Sequence, residues 1–572
     1  MDGPGRASGA HALLRTLRRM GVEKIFASPG SDWAPLWEAL AAPSAREEFP
    51  EYLSSRHEET AIAMASGYAK STGKLPAVVL HTTVGALHAT MGMRAALHER
   101  IPMVLLAGES ITFGERPEYG IGPQWLRLLT DVGGPARLVA PCVKWSFGLN
   151  DKALLSPTIE RACRIAASAP AGPAFVSVPT EFLMDAHPEE ATRSAAPVRN
   201  AVADPAALDE LSQMLVAAKR PVILTEEAGK DIAAVGRLVE LAETLGAPVF
   251  DAWQPGYMNF PRKHPLYGGV APDMKDLLEE SDLLLCVETV VPAHPPALLT
   301  RSKARMAFLG EDPLHTHLPY WGFRNDISIA GSLEPSLALL AERVARDLPR
   351  GSRSALASHW TGRNAKSREQ VREKSRSSGA KARIESAWIG HELNSVLPEG
   401  AIVVDETITH RHDIVRQLEG LAPGGFISAS YGGLGMGIGT ALGAKVARPD
   451  KTVAVTIGDG AFFYNPVIAS FGASQELKLP LLVVLFNNAG YLSQRLDVVR
   501  EYPEGWAVRT KQFAGLSIAP RPDYPALARA FGGYGESVEQ PSQVRPALLR
   551  GLDAVAKGNL ALIEMVLAPA GG

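Results

Sequence analysis

The feature that most restricts how this chain folds is an alternation that recurs along its 572 residues: a short apolar run, an Ala-rich stretch with helical periodicity, then another apolar run. Lys24–Ser28, Ala77–His81 and Met103–Ala107 read as strands of a first block. Pro221–Thr225, Pro248–Phe250 and Leu283–Val287 belong to a second, and Ile402–Asp405, Val453–Ile457 and Leu481–Phe486 to a third. Apolar runs with helices between them suit parallel sheets covered on both faces. The pattern predicts an α/β protein of three doubly wound parallel-sheet domains, spanning 1–187, 200–350 and 386–572. A Ser-rich stretch between Gly351 and Glu385, with nine Lys or Arg against three Glu, reads as a solvated linker over 351–385. No sequence repeat relates the blocks.

Charge and cysteine usage exclude several classes. A net charge of −3, from 58 basic and 61 acidic side chains, provides no overall field for a polyanion, so no nucleic acid is expected as a partner. Three widely spaced cysteines without a CxxC exclude a disulfide framework and a cysteine-built zinc site. No apolar run approaches the ~20 residues of a membrane span, and the N-terminus lacks an apolar signal segment. The expectation is a cytoplasmic protein that works on small molecules and not on a membrane.

The most specific chemical signal lies in the third block. Strand Thr452–Ile457 runs into Gly458-Asp459-Gly460, and strand Leu481–Phe486 into Asn487-Asn488-Ala489-Gly490. In a parallel sheet both ends emerge on the carboxyl edge, where open α/β folds bind ligands. An Asp and an Asn side-chain oxygen, with a backbone carbonyl two residues on, make a hard-oxygen half-shell for Mg²⁺. Gly458 and Gly460 let backbone N–H groups approach phosphate oxygens. A lone Gly-Asp-Gly is otherwise an ordinary βα turn; the Asn pair downstream makes the difference.

These motifs, and nearly the whole chain, resemble the thiamine-diphosphate (ThDP) enzymes of the decarboxylase and acetohydroxyacid synthase superfamily. The resemblance implies that the three domains are pyrimidine-binding, central and diphosphate-binding. It places Mg²⁺ on Asp459, Asn488 and the backbone oxygen of Gly490, and the diphosphate against Gly458, Gly460 and Ala461. Two departures stand out: Asp459 and Asn488 are 29 residues apart, more than is usual in the family, and Ala461 stands where a Ser often binds diphosphate. The glycine-dense Gly432–Gly439 has no GxGxxG register. It resembles the segment beneath the cofactor, with Leu434 as the wedge that bends it and the Gly432 carbonyl accepting from the 4'-amino group; a helix packing closely through its glycines is the other reading.

In Arg56-His57-Glu58-Glu59, ahead of the apolar Thr60–Ala69, an acid suits a helix start. The resemblance assigns more to Glu58, nine residues before Gly67: a bond to N1' of the pyrimidine, through a desolvated carboxyl that shares its proton. Glu59 lacks that spacing.

Ser28-Pro29-Gly30-Ser31, Leu80-His81-Thr82 and Val143-Lys144-Trp145-Ser146 look like the benzoylformate decarboxylase branch. By that resemblance Ser31 holds the substrate carboxylate and His81 handles protons, with His294 as the candidate second proton carrier. The plain readings are an ordinary turn and hydrogen-bonded histidines at strand ends. The segment Ala489–Arg495 departs from both branches. It lacks the Trp of a synthase, and Ser493 and Gln494 stand where an aromatic substrate would meet small and apolar residues, so an aromatic substrate is not implied. Nothing in Val287–Arg301 matches the synthase flavin segment, so FAD is not expected.

The expected activity is a ThDP- and Mg²⁺-dependent 2-oxo acid decarboxylase working through a C2 carbanion and an enamine. The alternatives are an acetolactate synthase-like carboligase and a non-catalytic regulatory subunit of the same fold, against which the intact Glu58, Asp459 and Asn488 argue. A homodimer or homotetramer is implied, with the first block of one subunit meeting the third of another.

Overall fold

The computed structural model describes residues 7–109, 132–187, 198–270, 275–429 and 433–567. The first sheet contains β1 (Lys24–Ser28), β2 (Glu51–Ser54), β3 (Ala77–Leu80), β4 (Met103–Glu109), β5 (Trp145–Gly148) and β6 (Pro173–Pro179), in the order β2-β1-β3-β4-β6-β5. The second contains β7 (Pro221–Thr225), β8 (Val249–Asp251), β9 (Tyr267–Val270), β10 (Leu283–Val287), β11 (Arg305–Gly310) and β12 (Ile327–Ala330), in the order β12-β11-β10-β7-β8-β9. The third contains β13 (Ile402–Glu406), β14 (Phe426–Ser428), β15 (Val453–Gly458), β16 (Leu482–Asn487), β17 (Tyr534–Val538) and β18 (Ala561–Val566), in the order β14-β13-β15-β16-β18-β17.

Every pairing among these strands is parallel. Ala77–Leu80, Pro221–Thr225 and Leu482–Asn487 are buried along their whole length, as strands covered on both faces must be. The first and third sheets share one strand order and the second has another, a kinship that sequence comparison of the blocks does not reveal.

The chain divides into two compact units. One takes in Met1–Arg199, Tyr431–Pro449 and Asn465–Leu477; the other takes in Asn200–Ser430, Asp450–Tyr464 and Lys478–Gly572. The first sheet lies in the first unit, and the second and third sheets in the second. Helix α1 (Glu58–Thr72) explains why the first unit draws in later chain. It starts at His57, whose Nδ1 accepts from Glu59 N, and ends at Gly73 in the left-handed region, φ +69°. Its middle is buried all round from Thr60 to Ala69, so it needs a partner on more than one side.

The stretch 351–385, expected as a solvated linker, carries α2 (Ser354–Gly379), which buries Trp360, Asn364, Ser375 and Ser378. Trp360 joins the core of the second sheet. Asn364 Nδ2 donates to the Pro265 carbonyl at 3.1 Å, and Gln417 Nε2 donates to Ser375 Oγ at 2.5 Å. One stripe of four residues is enough to pack a helix whose other faces are polar, and the overall composition hides it.

Helix α3 (Gly437–Ala447) supplies a partner for α1, backbone against backbone. A Cβ on Gly67 would lie 2.0 Å from the Thr440 carbonyl oxygen, and one on Gly443 would lie 1.9 Å from that of Met64. Among the described residues no helix is long and apolar enough to cross a membrane.

Candidate active site

The first sheet reverses its direction of growth between β1 and β3, the place where a crevice opens at the carboxyl ends. Ser31 is exposed there, at the start of a single 3₁₀ turn, Ser31–Trp33. Trp33 Nε1 donates to the Leu80 carbonyl at 2.7 Å and ties the end of β1 to the end of β3. His81 follows β3, and its Nδ1 meets Asp32 Oδ1 at 2.5 Å. Asp32 is fully buried, and its Oδ2 accepts from Thr82 N at 3.2 Å.

Two glycines make the room. A Cβ on Gly30 would lie 2.0 Å from His81 Nδ1, and one on Gly108 would lie 2.0 Å from Asp32 Oδ2. A carboxylate on Nδ1 orients the imidazole and leaves Nε2 as the working nitrogen. Sequence reasoning misses Asp32; the available signal is an acid directly after Ser31 at a strand exit. Lys144 serves the scaffold, since its Nζ donates to the carbonyls of Ile165 and Ser168, both at 2.7 Å, at the end of the helix Leu155–Ala167.

Glu58 opens α1. Its side chain is 15% exposed and lies 3.6 Å from His88 Nδ1, while a Cβ on Gly85 would come within 3.3 Å of its Oε1. Burial pushes the carboxyl of Glu59, the neighbour without the family spacing, up to about 7. The assignment of Glu58 rests on spacing and on its place at the start of the helix. His57, Glu58 and His88 bring donor atoms within 4.8 Å of one another. The two imidazoles stack at 5.6 Å and 16°.

Leu434 is half-buried between Gly433 and Gly435, at φ +152° and +112°. Gly432 lies outside the described residues.

In the second unit, the third sheet reverses between β13 and β15. Asp459 leaves β15 buried; its Oδ1 accepts from Gly460 N at 2.9 Å and its Oδ2 from Gly490 N at 3.0 Å. Asn488 Oδ1 accepts from the same Gly490 N at 3.2 Å. Two side-chain oxygens therefore converge on one N–H. Burial pushes the Asp459 carboxyl up to about 6, against the opposing pull of these backbone donors.

Ala489, at φ +61°, turns the chain back toward Asp459. Asn487 points elsewhere: its Oδ1 accepts from Ala489 N at 2.9 Å and its Nδ2 donates to the buried Glu564 at 2.6 Å. Of the two asparagines, Asn488 joins Asp459 at Gly490 N and Asn487 holds the turn. The ring of Tyr491 covers Gly460, where a Cβ would lie 2.9 Å from it. Ala461 is buried and Gly458 half-buried.

His294 is exposed, and its ring centroid lies 4.3 Å from that of Trp253. Trp253 also meets His412 at 5.5 Å, whose pKa burial pushes down to about 4. His294 thus belongs to a Trp–imidazole cluster and is not among the groups that converge on Gly490.

Residues 7–122 match the N-terminal TPP binding domain of thiamine pyrophosphate enzymes, 208–315 their central domain and 409–565 their C-terminal TPP binding domain. The chain is 26% identical to a benzoylformate decarboxylase of Pseudomonas aeruginosa over 95% of its own length and 96% of the relative's. It is also 26% identical to the large subunit of acetolactate synthase isozyme 2 of Escherichia coli, over 95% and 92%. The solved thiamine diphosphate-dependent 4-hydroxybenzoylformate decarboxylase of Rhodococcus jostii RHA1 superposes with a TM-score of 0.80 at 25% identity, covering 98% of this chain and 99% of that one.

Proposed function

Since the chain belongs to the superfamily of thiamine-diphosphate-dependent enzymes, we propose that it is a Mg²⁺-dependent 2-oxo acid decarboxylase. The observation that carries this reading is the convergence of Asp459 Oδ2 and Asn488 Oδ1 on Gly490 N. The donor set is all oxygen, as Mg²⁺ requires, and the raised Asp459 carboxyl marks a buried acid that a cation would hold ionised. Asp459, Asn488 and the Gly490 carbonyl would hold the ion, and Gly458, Gly460 and Ala461 would hold the diphosphate. Leu434 and the Gly432 carbonyl would hold the bend of the cofactor. ThDP, when bound, supplies a carbon nucleophile and an electron sink for the loss of CO₂.

The chain's own groups do the rest. Glu58 holds a proton at N1', Ser31 binds the substrate carboxylate, and His81, oriented by Asp32, moves protons through Nε2. His294, on the Trp253 cluster, is the second proton carrier in this reading. FAD has no part in it. The second sheet reverses between β7 and β10, and the strand ends there carry the buried acids Glu227 and Glu288, poor company for a dinucleotide's phosphates.

A carboligase is the second reading, favoured by the equal identity to the acetolactate synthase subunit. Turnover of a panel of 2-oxo acids, with and without an added aldehyde, separates the two: release of the shortened aldehyde supports decarboxylation, and a ligated product supports the alternative. Glu58→Gln should keep Mg²⁺-dependent ThDP binding yet slow hydrogen–deuterium exchange at C2 of the bound cofactor by on the order of 10²–10⁴. Wild-type exchange in that variant, or the loss appearing in Glu59→Gln instead, would remove Glu58 from the mechanism.

A further inference from the structure

An asparagine serves as a cation ligand only if its oxygen faces the ion, and the two ends of a carboxamide have the same shape. What sets the orientation of Asn488 is therefore a real question. One answer is Gly490 N, which needs an acceptor and meets Oδ1 at 3.2 Å. The other lies on the opposite side of the amide, where Asn488 Nδ2 stands 3.3 Å from His410 Nε2. An amide nitrogen only donates, so this imidazole nitrogen accepts. Turning the amide over would set its NH₂ against the Gly490 N–H, donor facing donor, and would set its oxygen against an imidazole whose Nε2 is the bare nitrogen, acceptor facing acceptor.

His410 is itself held in place. Its ring stacks on Phe486 of β16 at 5.8 Å and 26°. The turn that carries it is pinned on both sides by the fully buried Asp405 at the end of β13. Asp405 Oδ1 accepts from Thr407 Oγ1 at 2.7 Å and from Thr456 Oγ1 at 2.9 Å, and its Oδ2 accepts from Arg411 Nε at 3.0 Å. Between these anchors Ile408 has φ +50°. A β-branched side chain in the left-handed region is strained and persists only where the surroundings impose it.

We infer that His410 is a positioning residue for the cation site: it holds the Asn488 amide so that Oδ1, and not Nδ2, faces the ion and the diphosphate. The inference rests on the site proposed above and adds a residue that neither the motif nor the family resemblance assigns. Partners of this kind, which orient a ligand without touching the metal, typically change metal affinity 10–100-fold when removed.

The test is calorimetric titration of the full chain with ThDP in the presence of Mg²⁺. His410→Phe keeps a ring to stack on Phe486 but removes the acceptor, and should weaken binding by roughly tenfold or more. His410→Gln restores an acceptor and should recover most of the loss. In an Asn488→Asp background the two oxygens are equivalent and no orientation remains to be set, so His410→Phe should cost nothing further. Wild-type affinity in His410→Phe, no recovery in His410→Gln, or an equal loss in both backgrounds would overturn the inference while leaving the proposed function standing. Failure of the wild-type chain to bind ThDP with Mg²⁺ would overturn both.

Discussion

Glu226 is fully buried just past β7, where its carboxyl oxygens accept the backbone N–H groups of Gln254, Val290 and Val291 at 3.1, 2.8 and 2.9 Å. These bonds hold the two loops that carry Trp253 and His294. Burial still pushes the carboxyl up to about 8, from an ordinary 4.5. Between those values the folded chain keeps a proton that the unfolded chain has released. The contribution to stability is therefore fully present below about 4.5 and is lost as pH rises through about 8, at roughly 1.4 kcal/mol per pH unit. Calorimetric melting of the cofactor-free chain should show its midpoint falling between about pH 4.5 and 8, and falling less in Glu226→Gln. Parallel profiles for the two proteins would mean that this carboxyl has the same pKa in the folded and the unfolded chain.

Helices α1 and α3 cross where neither has a side chain to spare. At Gly443 an added methyl would meet the Met64 carbonyl at 1.9 Å, a backbone atom that cannot rotate aside. Gly443→Ala should therefore cost at least the roughly 1–3 kcal/mol of ordinary overpacking. Gly236, exposed within the helix Ile232–Leu245, has nothing within 4 Å of its notional Cβ. Gly236→Ala should stabilise by about 0.5–1 kcal/mol through helix propensity alone. Thermal melts followed by circular dichroism compare the two, and a neutral Gly443→Ala would mean that the helices part at little cost.

For the whole molecule, the helices Leu492–Glu501 and Trp506–Thr510 bury none of their residues. They leave Trp506 76%, Tyr502 67% and Leu496 51% exposed. Apolar surface of this kind is usually covered in a working assembly, most often by a second copy of the same chain. The purified protein should be colourless and run as a homodimer or homotetramer in light scattering, and Trp506→Glu should weaken that association. A monomer at micromolar concentration, or a yellow, flavin-loaded preparation, would contradict the assembly and the cofactor set respectively.

Sequence alone was sufficient for the strands and for the short motifs that end them. Lys24–Ser28, Pro221–Thr225 and Leu283–Val287 stand as strands at the bounds their apolar runs predict, because a run buried on both faces has one environment available to it. Gly458-Asp459-Gly460 and the Asn487-Asn488 pair were legible for the same reason: each sits at the end of its own strand, and Gly490 is two residues beyond Asn488.

The tertiary structure alone decided which distant groups meet. Asp32 finds His81 across 49 residues because strand order sets β1 beside β3. His410 finds Asn488 across 78 because β13 and β16 flank β15. The helix α2 packs by a stripe of four side chains that its polar composition conceals. Apolar periodicity is a local property and shows in any short window. The pairing of strand ends is not, since it follows from the packing of a whole sheet and its helices, and the meetings of Asp32 with His81 and of His410 with Asn488 are written at that level.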